Sequence, residues 1–434
     1  MKILDYKKSQ DKSTFAELVS PKILRDIDVE NTVRLILDDV SRKGDAAVSK
    51  YIRQFDKANL SPAQFRVDVE EISDAVNRVE KSFLKAARLA IKNITEYHKF
   101  QLRKTRSYQR NDGSRLTQRI RPLNRVGMYV PGGSAPLASS LLMCAVPAKV
   151  AGVPEIVMVT PSNSEGEVNP YILASAKLAG VTEMYRVGGV QAIGALAYGT
   201  DSIPRVDKIV GPGNKYVVEA KRQVYGIVDV DLIPGPSEIL VIADDTANPS
   251  WVAADMLSQA EHTGNERVFL VTPSKSLAKE VEKELYLQAN QLSRTPQMLS
   301  SLEKGGVIVI TKDLDQAVEI ADLVAAEHLE IMTQDARKIA DKVKYAGAIF
   351  IGPWTPEPIC DYVAGTNHIL PTGGTGRMFS GLNLDEFIKK TNVVEISDKG
   401  FQQLAESTII FAEKEELTAH ANSVRVRLKN GGKR

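Results

Sequence analysis

At 434 residues the chain exceeds one ordinary domain, so two or three are expected. Its 56 basic and 54 acidic residues nearly cancel, and no basic run interleaved with aromatics marks a nucleic-acid face. Two cysteines, Cys144 and Cys360, make no disulfide framework, and neither an apolar signal core nor a membrane span of roughly 20 apolar residues is visible, so a cytoplasmic enzyme is expected.

Residues 33–55 mix apolar and charged side chains at helical spacing, with a candidate break at Gly44-Asp45. Ile72, Val76, Val79, Phe83, Ala90, Ile94 and Tyr97 then recur at steps of three and four, predicting one long amphipathic helix. His98 falls at the edge of that stripe and reads as structural.

From about residue 125, short apolar runs alternate with helical stretches. The runs are 126–130, 155–160, 184–187, 208–210, 239–243, 268–272, 307–311, 329–332 and 348–351. Strands alternating with helices predict an α/β fold with largely parallel sheets, and the number of runs predicts two of them. Pro234-Gly235-Pro236 is a plausible crossover between the two. Ligands in such sheets sit outside the carboxyl ends of the strands. Beyond Gly381 the strand pattern fades. Residues 385–390 and 413–428 read as helices, and the last six residues read as frayed. So short a tail must pack on the body or on another subunit.

Three glycine-rich turns fall within the first α/β stretch. Tyr129-Val-Pro-Gly-Gly closes one strand, Gly188-Gly189 precedes Gln191, and Gly211-Pro-Gly-Asn214 opens a helix whose amides could receive a phosphate. The G-x-G-x-x-G fingerprint is absent, so each reads equally as a tight turn or as part of a nucleotide site.

Further on, Asn248-Pro249 starts a helix on which Gln259 and His262, three apart, share a face. They could meet one metal ion, or simply end a capped surface helix. Glu327-His328 lies where a helix (314–326) runs into a strand. It is an acid–base pair placed for proton transfer or a salt-bridged surface pair. Asp361 follows a proline-rich loop and precedes Gly365, Asn367 and His368. It could be a metal ligand with His368 in support, or part of ordinary turn chemistry. Cys360 beside it reads as a passive thiol, and Cys144 as core. Four of the five histidines (His262, His328, His368 and His420) stand in this C-terminal stretch, the composition of one metal-assisted site.

Together these segments resemble the histidinol dehydrogenases. The resemblance is carried by Arg125-Val-Gly-Met-Tyr-Val-Pro-Gly-Gly-Ser-Ala-Pro, Ala145-Val-Pro-Ala-Lys-Val-Ala-Gly, Gly188-Gly-Val-Gln-Ala-Ile-Gly-Ala-Leu-Ala-Tyr-Gly-Thr and Val210-Gly-Pro-Gly-Asn. It continues through Gly235-Pro-Ser-Glu-Ile-Leu-Val-Ile-Ala-Asp, Leu257-Ser-Gln-Ala-Glu-His, Glu327-His-Leu, Gly365-Thr-Asn-His-Ile-Leu-Pro-Thr-Gly and Leu417-Thr-Ala-His, in the same order and spacing.

The resemblance implies two NAD-dependent oxidations of L-histidinol to L-histidine by way of histidinal, with one zinc ion per subunit orienting the substrate. It implies two Rossmann-like parallel-sheet domains, aldehyde-dehydrogenase-like, with a helical N-terminal segment and a small C-terminal tail domain. The boundaries that follow are an N-terminal segment at 1–23, a catalytic domain of 24–125 and 237–380, an inserted NAD-binding domain of 126–236, and a dimerisation tail at 381–434. By resemblance Gln259, His262, Asp361 and His420 hold zinc, and Glu327 and His328 are the acid–base pair. Tyr129, Gln191 and Asn214 contact NAD. Ser237, Glu415 and His420 contact histidinol, with Gln259, His262, Asp361 and His328 also lining the site. The tail is expected to cross into the neighbouring subunit of a homodimer. Thr263, Pro234 and the loop 373–378 depart from the family's usual run. Other readings are a related zinc and NAD dehydrogenase of another polar alcohol, or a zinc hydrolase in which Glu327 activates water.

Overall fold

A computed structural model describes residues 1–19, 26–132 and 136–430. The expected boundary between residues 23 and 24 lies outside them, as do residues 431–434 of the end expected to fray at 429–434, whose first two residues instead close the helix Thr418–Asn430. The strands in chain order are β1 (Lys2–Asp5), β2 (Arg106–Gln109), β3 (Arg115–Pro122), β4 (Arg125–Tyr129), β5 (Glu155–Val159), β6 (Glu183–Tyr185), β7 (Lys208–Val210) and β8 (Asp229–Val230). There follow β9 (Glu238–Ala243), β10 (Arg267–Thr272), β11 (Gly306–Ile310), β12 (His328–Met332), β13 (Ala348–Ile351) and β14 (Ile388–Glu395).

The chain divides into two units, one of Met1–Gln101 with Leu123–Phe387 and one of Leu102–Pro122 with Ile388–Arg434. The first holds two parallel sheets, of order β6-β5-β4-β7-β8 and β1-β11-β10-β9-β12-β13. Their strands read as short apolar runs because helices cover both faces, which parallel sheets require. In the six-stranded sheet Ile239, Val241 and Leu270 pack on the helices Pro249–Ala260 and Lys275–Ala289. Leu240, Ile242 and Val271 pack on Phe15 and the helix Leu314–Val324. In the five-stranded sheet Val126, Met128 and Met158 face the helices Lys81–Lys99, Ala138–Ala151 and Pro170–Ala179. Val157, Val159 and Ile209 face Ile27–Lys43, Gly189–Tyr198 and Lys215–Val224. Pro234-Gly235-Pro236 lies on the connection between the two sheets.

The single long helix expected over 72–97 is two, Val69–Arg78 and Lys81–Lys99. Val79 breaks it with extended backbone (φ −94°, ψ 151°) and buries its side chain at the joint. His98 is not at an edge but fully buried, with Nδ1 donating to the Ile94 carbonyl at 2.8 Å.

In the second unit β14 pairs antiparallel with β3, and β3 with β2. The helix expected at 385–390 is thus a 3₁₀ turn, Leu384–Phe387, followed by a strand. The helix expected at 413–428 is broken. One helix, Asp398–Lys414, ends before Glu416, which takes a left-handed φ of 58°, and a second runs over Thr418–Asn430.

Candidate active site

Two groups of expected residues lie at opposite ends of their strands. Tyr129 ends β4, Gly188-Gly189 follows β6, and Gly211 follows β7, all at carboxyl ends. The expected acid–base pair departs from that rule: His328 is the first residue of β12, and Glu238, against which it lies, is the first of β9.

The pair is positioned by the chain just before it. The helix Leu314–Val324 stops at Ala325, whose left-handed φ of 47° turns the backbone so that Glu327 and His328 enter the sheet between β9 and β13. Both are buried. The Glu238 N–H donates to Glu327 Oε2 at 3.0 Å, and His328 Nδ1 lies 3.1 Å from the Glu238 carbonyl oxygen. A carbonyl only accepts, so Nδ1 carries the proton and the neutral ring presents a bare Nε2. That Nε2 is buried without a hydrogen-bond partner among the described residues. It faces Glu357 Oε1 at 3.8 Å and Asp361 Oδ1 at 3.9 Å.

Burial dominates the electrostatics. It pushes His328 down to about 4 and Glu327 well above the usual carboxylate range. Glu357 is pushed up to about 7 by burial and by the charge of Asp361, and Asp361 up to about 6 by burial. Asp255 and Glu330 are also buried, and burial raises both carboxyl groups. Glu330 Oε1 accepts the Glu357 N–H at 2.7 Å.

Asp361 sits on a π-helical turn, Cys360–Ala364, a form that often marks functional sites. Gly365 ends the turn at φ +113°, where a Cβ would lie 2.6 Å from the Asn93 carbonyl oxygen. His368 Nδ1 donates to the Asp361 carbonyl at 2.8 Å, so its Nε2 accepts from Ser140 Oγ at 3.1 Å. With Asn367 donating to the Met143 carbonyl at 2.7 Å, this loop is tied to the helix Ala138–Ala151 of the five-stranded sheet.

Gln259 lies in the last turn of its helix, which Asn248 caps and Pro249 opens. Its side chain is fully buried, and neither amide atom has a hydrogen-bond partner among the described residues. The helix ends at Ala260, so His262 is exposed on the loop beyond it, not on the shared helical face expected. The loop is held by the buried Glu266 carboxylate, which accepts from the N–H groups of Thr263, Gly264 and Asn265 at 2.9, 2.7 and 3.0 Å.

The ligand atoms of His328, Glu357 and Asp361 lie within 4.8 Å of one another. Glu357 is the residue sequence reasoning missed. Between two prolines it reads as surface turn, and only the tertiary fold buries it. Nitrogen and oxygen donors with an orphaned buried amide suit a divalent metal ion.

At the other group, Tyr129 is buried and accepts the Gly189 N–H on its hydroxyl at 3.2 Å. Gln191 is fully buried with both amide atoms unpartnered among the described residues, and Asn214 caps the helix Lys215–Val224. These buried, unsatisfied polar atoms fit a polar cofactor. Ser237 is half-buried, its carbonyl accepting from Arg267 N–H at 3.1 Å. Glu415 and His420 are exposed residues of the second unit.

A family model described as histidinol dehydrogenase matches residues 21–428. The chain is 50% identical over 407 residues to histidinol dehydrogenase of Heliobacterium mobile, covering 94% of this chain and 95% of that protein. It is 46% identical over 430 residues to that of Caldanaerobacter subterraneus subsp. tengcongensis, covering 99% and 100%. The crystal structure of histidinol dehydrogenase from Elizabethkingia anophelis superposes with a TM-score of 0.93 at 36% identity, covering 100% of this chain and 99% of that one.

Proposed function

The chain belongs to the histidinol dehydrogenase family, an oxidoreductase acting on histidinol to give histidine, and on that premise we propose how its own residues serve the reaction. The observation that carries the reading is the bare Nε2 of His328, buried beside two carboxyl groups with Glu327 at its back.

Gln259, His262 and Asp361, completed by the partner subunit's His420, would hold one zinc ion; Ser237 and the partner subunit's Glu415 would contact histidinol. When bound, the ion supplies a Lewis acid suited to the imidazole and amine nitrogens of histidinol, which orients the alcohol carbon. Tyr129, Gln191 and Asn214 would contact NAD, which when bound accepts two electrons in each oxidation. His328 accepts the alcohol proton at Nε2, its Nδ1–H anchored on Glu238. Glu327 takes a proton from the water that adds to the aldehyde. Its burial favours the protonated acid, so the carboxylate is a strong base once formed. His328 serves again as the hydrate is oxidised.

In this reading residues 126–236 form the NAD-binding domain, 24–125 with 237–380 the catalytic domain, and 381–434 the dimerisation tail of a homodimer. The second unit buries few apolar side chains and leaves Tyr108, Val394, Ile410 and Phe411 exposed, a surface that a second copy would cover. Two unpaired cysteines support a cytoplasmic location. Among the described residues no helix is long and apolar enough to cross a membrane.

The test is histidinol turnover with NAD, read as NADH per histidinol with and without metal. Two NADH, lost on chelation and restored by zinc, are expected. One NADH with histidinal accumulating overturns the second step, and turnover that survives complete metal removal overturns the metal's role.

A further inference from the structure

The side chains of Lys221 and Asp231 are each only 1% exposed and form an ion pair. Neither belongs to the group around His328. Lys221 lies on the helix Lys215–Val224, and Asp231 directly follows β8. Taking two charges out of water is expensive, and a buried pair of this kind is a poor source of stability compared with apolar side chains of similar volume. What it can supply is one specified backbone conformation.

The pair grips a single residue by both of its polar groups. Asp231 Oδ2 accepts the Gly211 N–H at 2.7 Å, and Lys221 Nζ donates to the Gly211 carbonyl oxygen at 3.0 Å. Gly211 has φ +108°, and a Cβ there would lie 2.3 Å from the carbonyl oxygen of Tyr129. The turn is therefore pressed against the end of β4 in a conformation that favours glycine. Three residues later Asn214 accepts the N–H groups of Tyr216 and Val217 at 3.0 and 3.1 Å, starting the helix that carries Lys221. Strand β7, the turn, the helix and Lys221 thus close a ring on Gly211, locked by Asp231.

We propose that Lys221 and Asp231 are positioning residues for the dinucleotide cofactor. They hold the turn at 211–214 so that Asn214 and the helix amides stand beside Tyr129. They act through the turn and touch neither cofactor nor histidinol. The proposal rests on the reading of Tyr129, Gln191 and Asn214 as NAD contacts.

The experiment is steady-state kinetics on the metal-loaded full-length enzyme, with zinc content and Tm measured alongside. Lys221→Met alone strands a buried carboxylate, so the main variant is Lys221→Met/Asp231→Leu, neutral at both positions and unable to bond either polar group of Gly211. The KM for NAD should rise about tenfold or more, while the KM for histidinol and the zinc content stay within about twofold. Should that variant not fold, Lys221→Met/Asp231→Asn, which keeps an acceptor for the Gly211 N–H but removes the donor to its carbonyl, takes the same readout. An unchanged KM for NAD in the folded variant overturns the proposal, as does an equal rise in both KM values, which is the mark of general loosening. Tyr129→Phe and Asn214→Ala are run in parallel. If they raise the KM for NAD and the paired variant does not, only the positioning role falls. If all leave it unchanged, the cofactor-site reading falls too.

Discussion

The Nδ1 of His328 lies 3.1 Å from the carbonyl oxygen of Glu238, the residue whose N–H also holds Glu327 at 3.0 Å. One peptide segment at the start of β9 therefore fixes the tautomer of His328 and the orientation of Glu327. His328→Asn keeps a donor near that carbonyl but removes Nε2. The kcat for histidinol should fall about 10²–10⁴-fold, the range for losing a general base, while zinc content by metal analysis stays at one per subunit. A variant that has lost its metal would instead assign the ion to His328, Glu357 and Asp361.

Nine strands, β4 to β7 and β9 to β13, were legible because they are short apolar runs, such as 239–243 and 268–272, whereas β1, β2, β3 and β8 fall outside every such run. β14 was not legible, because Lys389, Lys390, Thr391 and Asn392 are mostly exposed and carry no apolar alternation. Glu357 and Lys221 escaped for a shared reason. A charged residue on a helix or between prolines reads as solvated, and only distant chain segments bury it. The bare Nε2 of His328 was likewise invisible, since it follows from its register against Ile239 across the sheet.

Glu327→Gln should separate the two oxidations. The amide keeps the volume and an oxygen for the Glu238 N–H, so the local fold should persist, but it cannot take a proton from water. Single-turnover NADH formation from histidinal should slow by about 10²-fold or more, and the first oxidation of histidinol much less. Equal slowing of both would remove Glu327 from the hydration step.

Gln259→Met should exchange function for stability. A buried amide with neither atom hydrogen-bonded costs roughly 1–3 kcal/mol, and methionine fills similar space without that penalty. In chelator the variant should be more stable than the parent by about 1 kcal/mol. Added zinc should raise the Tm of the parent by linkage and leave the variant's unchanged. A zinc-induced shift of the same size in the variant would mean that Gln259 is not a ligand.

Asp56 gives a pH dependence remote from the metal. Burial alone raises its carboxyl from 3.8 to about 6, and Oδ2 has no hydrogen-bond partner among the described residues. The folded protein thus holds this proton more tightly than the unfolded chain. Its stabilising contribution is complete below about pH 4 and is lost as pH rises through about 6. Asp56→Asn should therefore stabilise the protein by about 1–2 kcal/mol at pH 7.5 and hardly at all at pH 4. Equal Tm shifts at the two pH values would contradict the burial effect.

The proposed crossing of the tail between two subunits can be tested by refolding mixed variants. His420 and Glu415 belong to the second unit, whereas Glu327, His328, Gln259 and Asp361 belong to the first. Take Glu327→Gln, with a faulty body and a sound tail, and His420→Ala, with the reverse. Each homodimer should be nearly inactive. If the tail serves its own body, mixed dimers hold two faulty sites and re-pairing restores nothing. If the tail crosses, each mixed dimer has one site made of a sound body and a sound tail. Unfolding and refolding an equal mixture should then return about a quarter of the parent rate, since half of randomly paired two-fold dimers are mixed and half of their sites are complete. Recovery must be absent when either variant is refolded alone. No recovery from a mixture shown by mass spectrometry to contain mixed dimers would confine His420 to its own subunit.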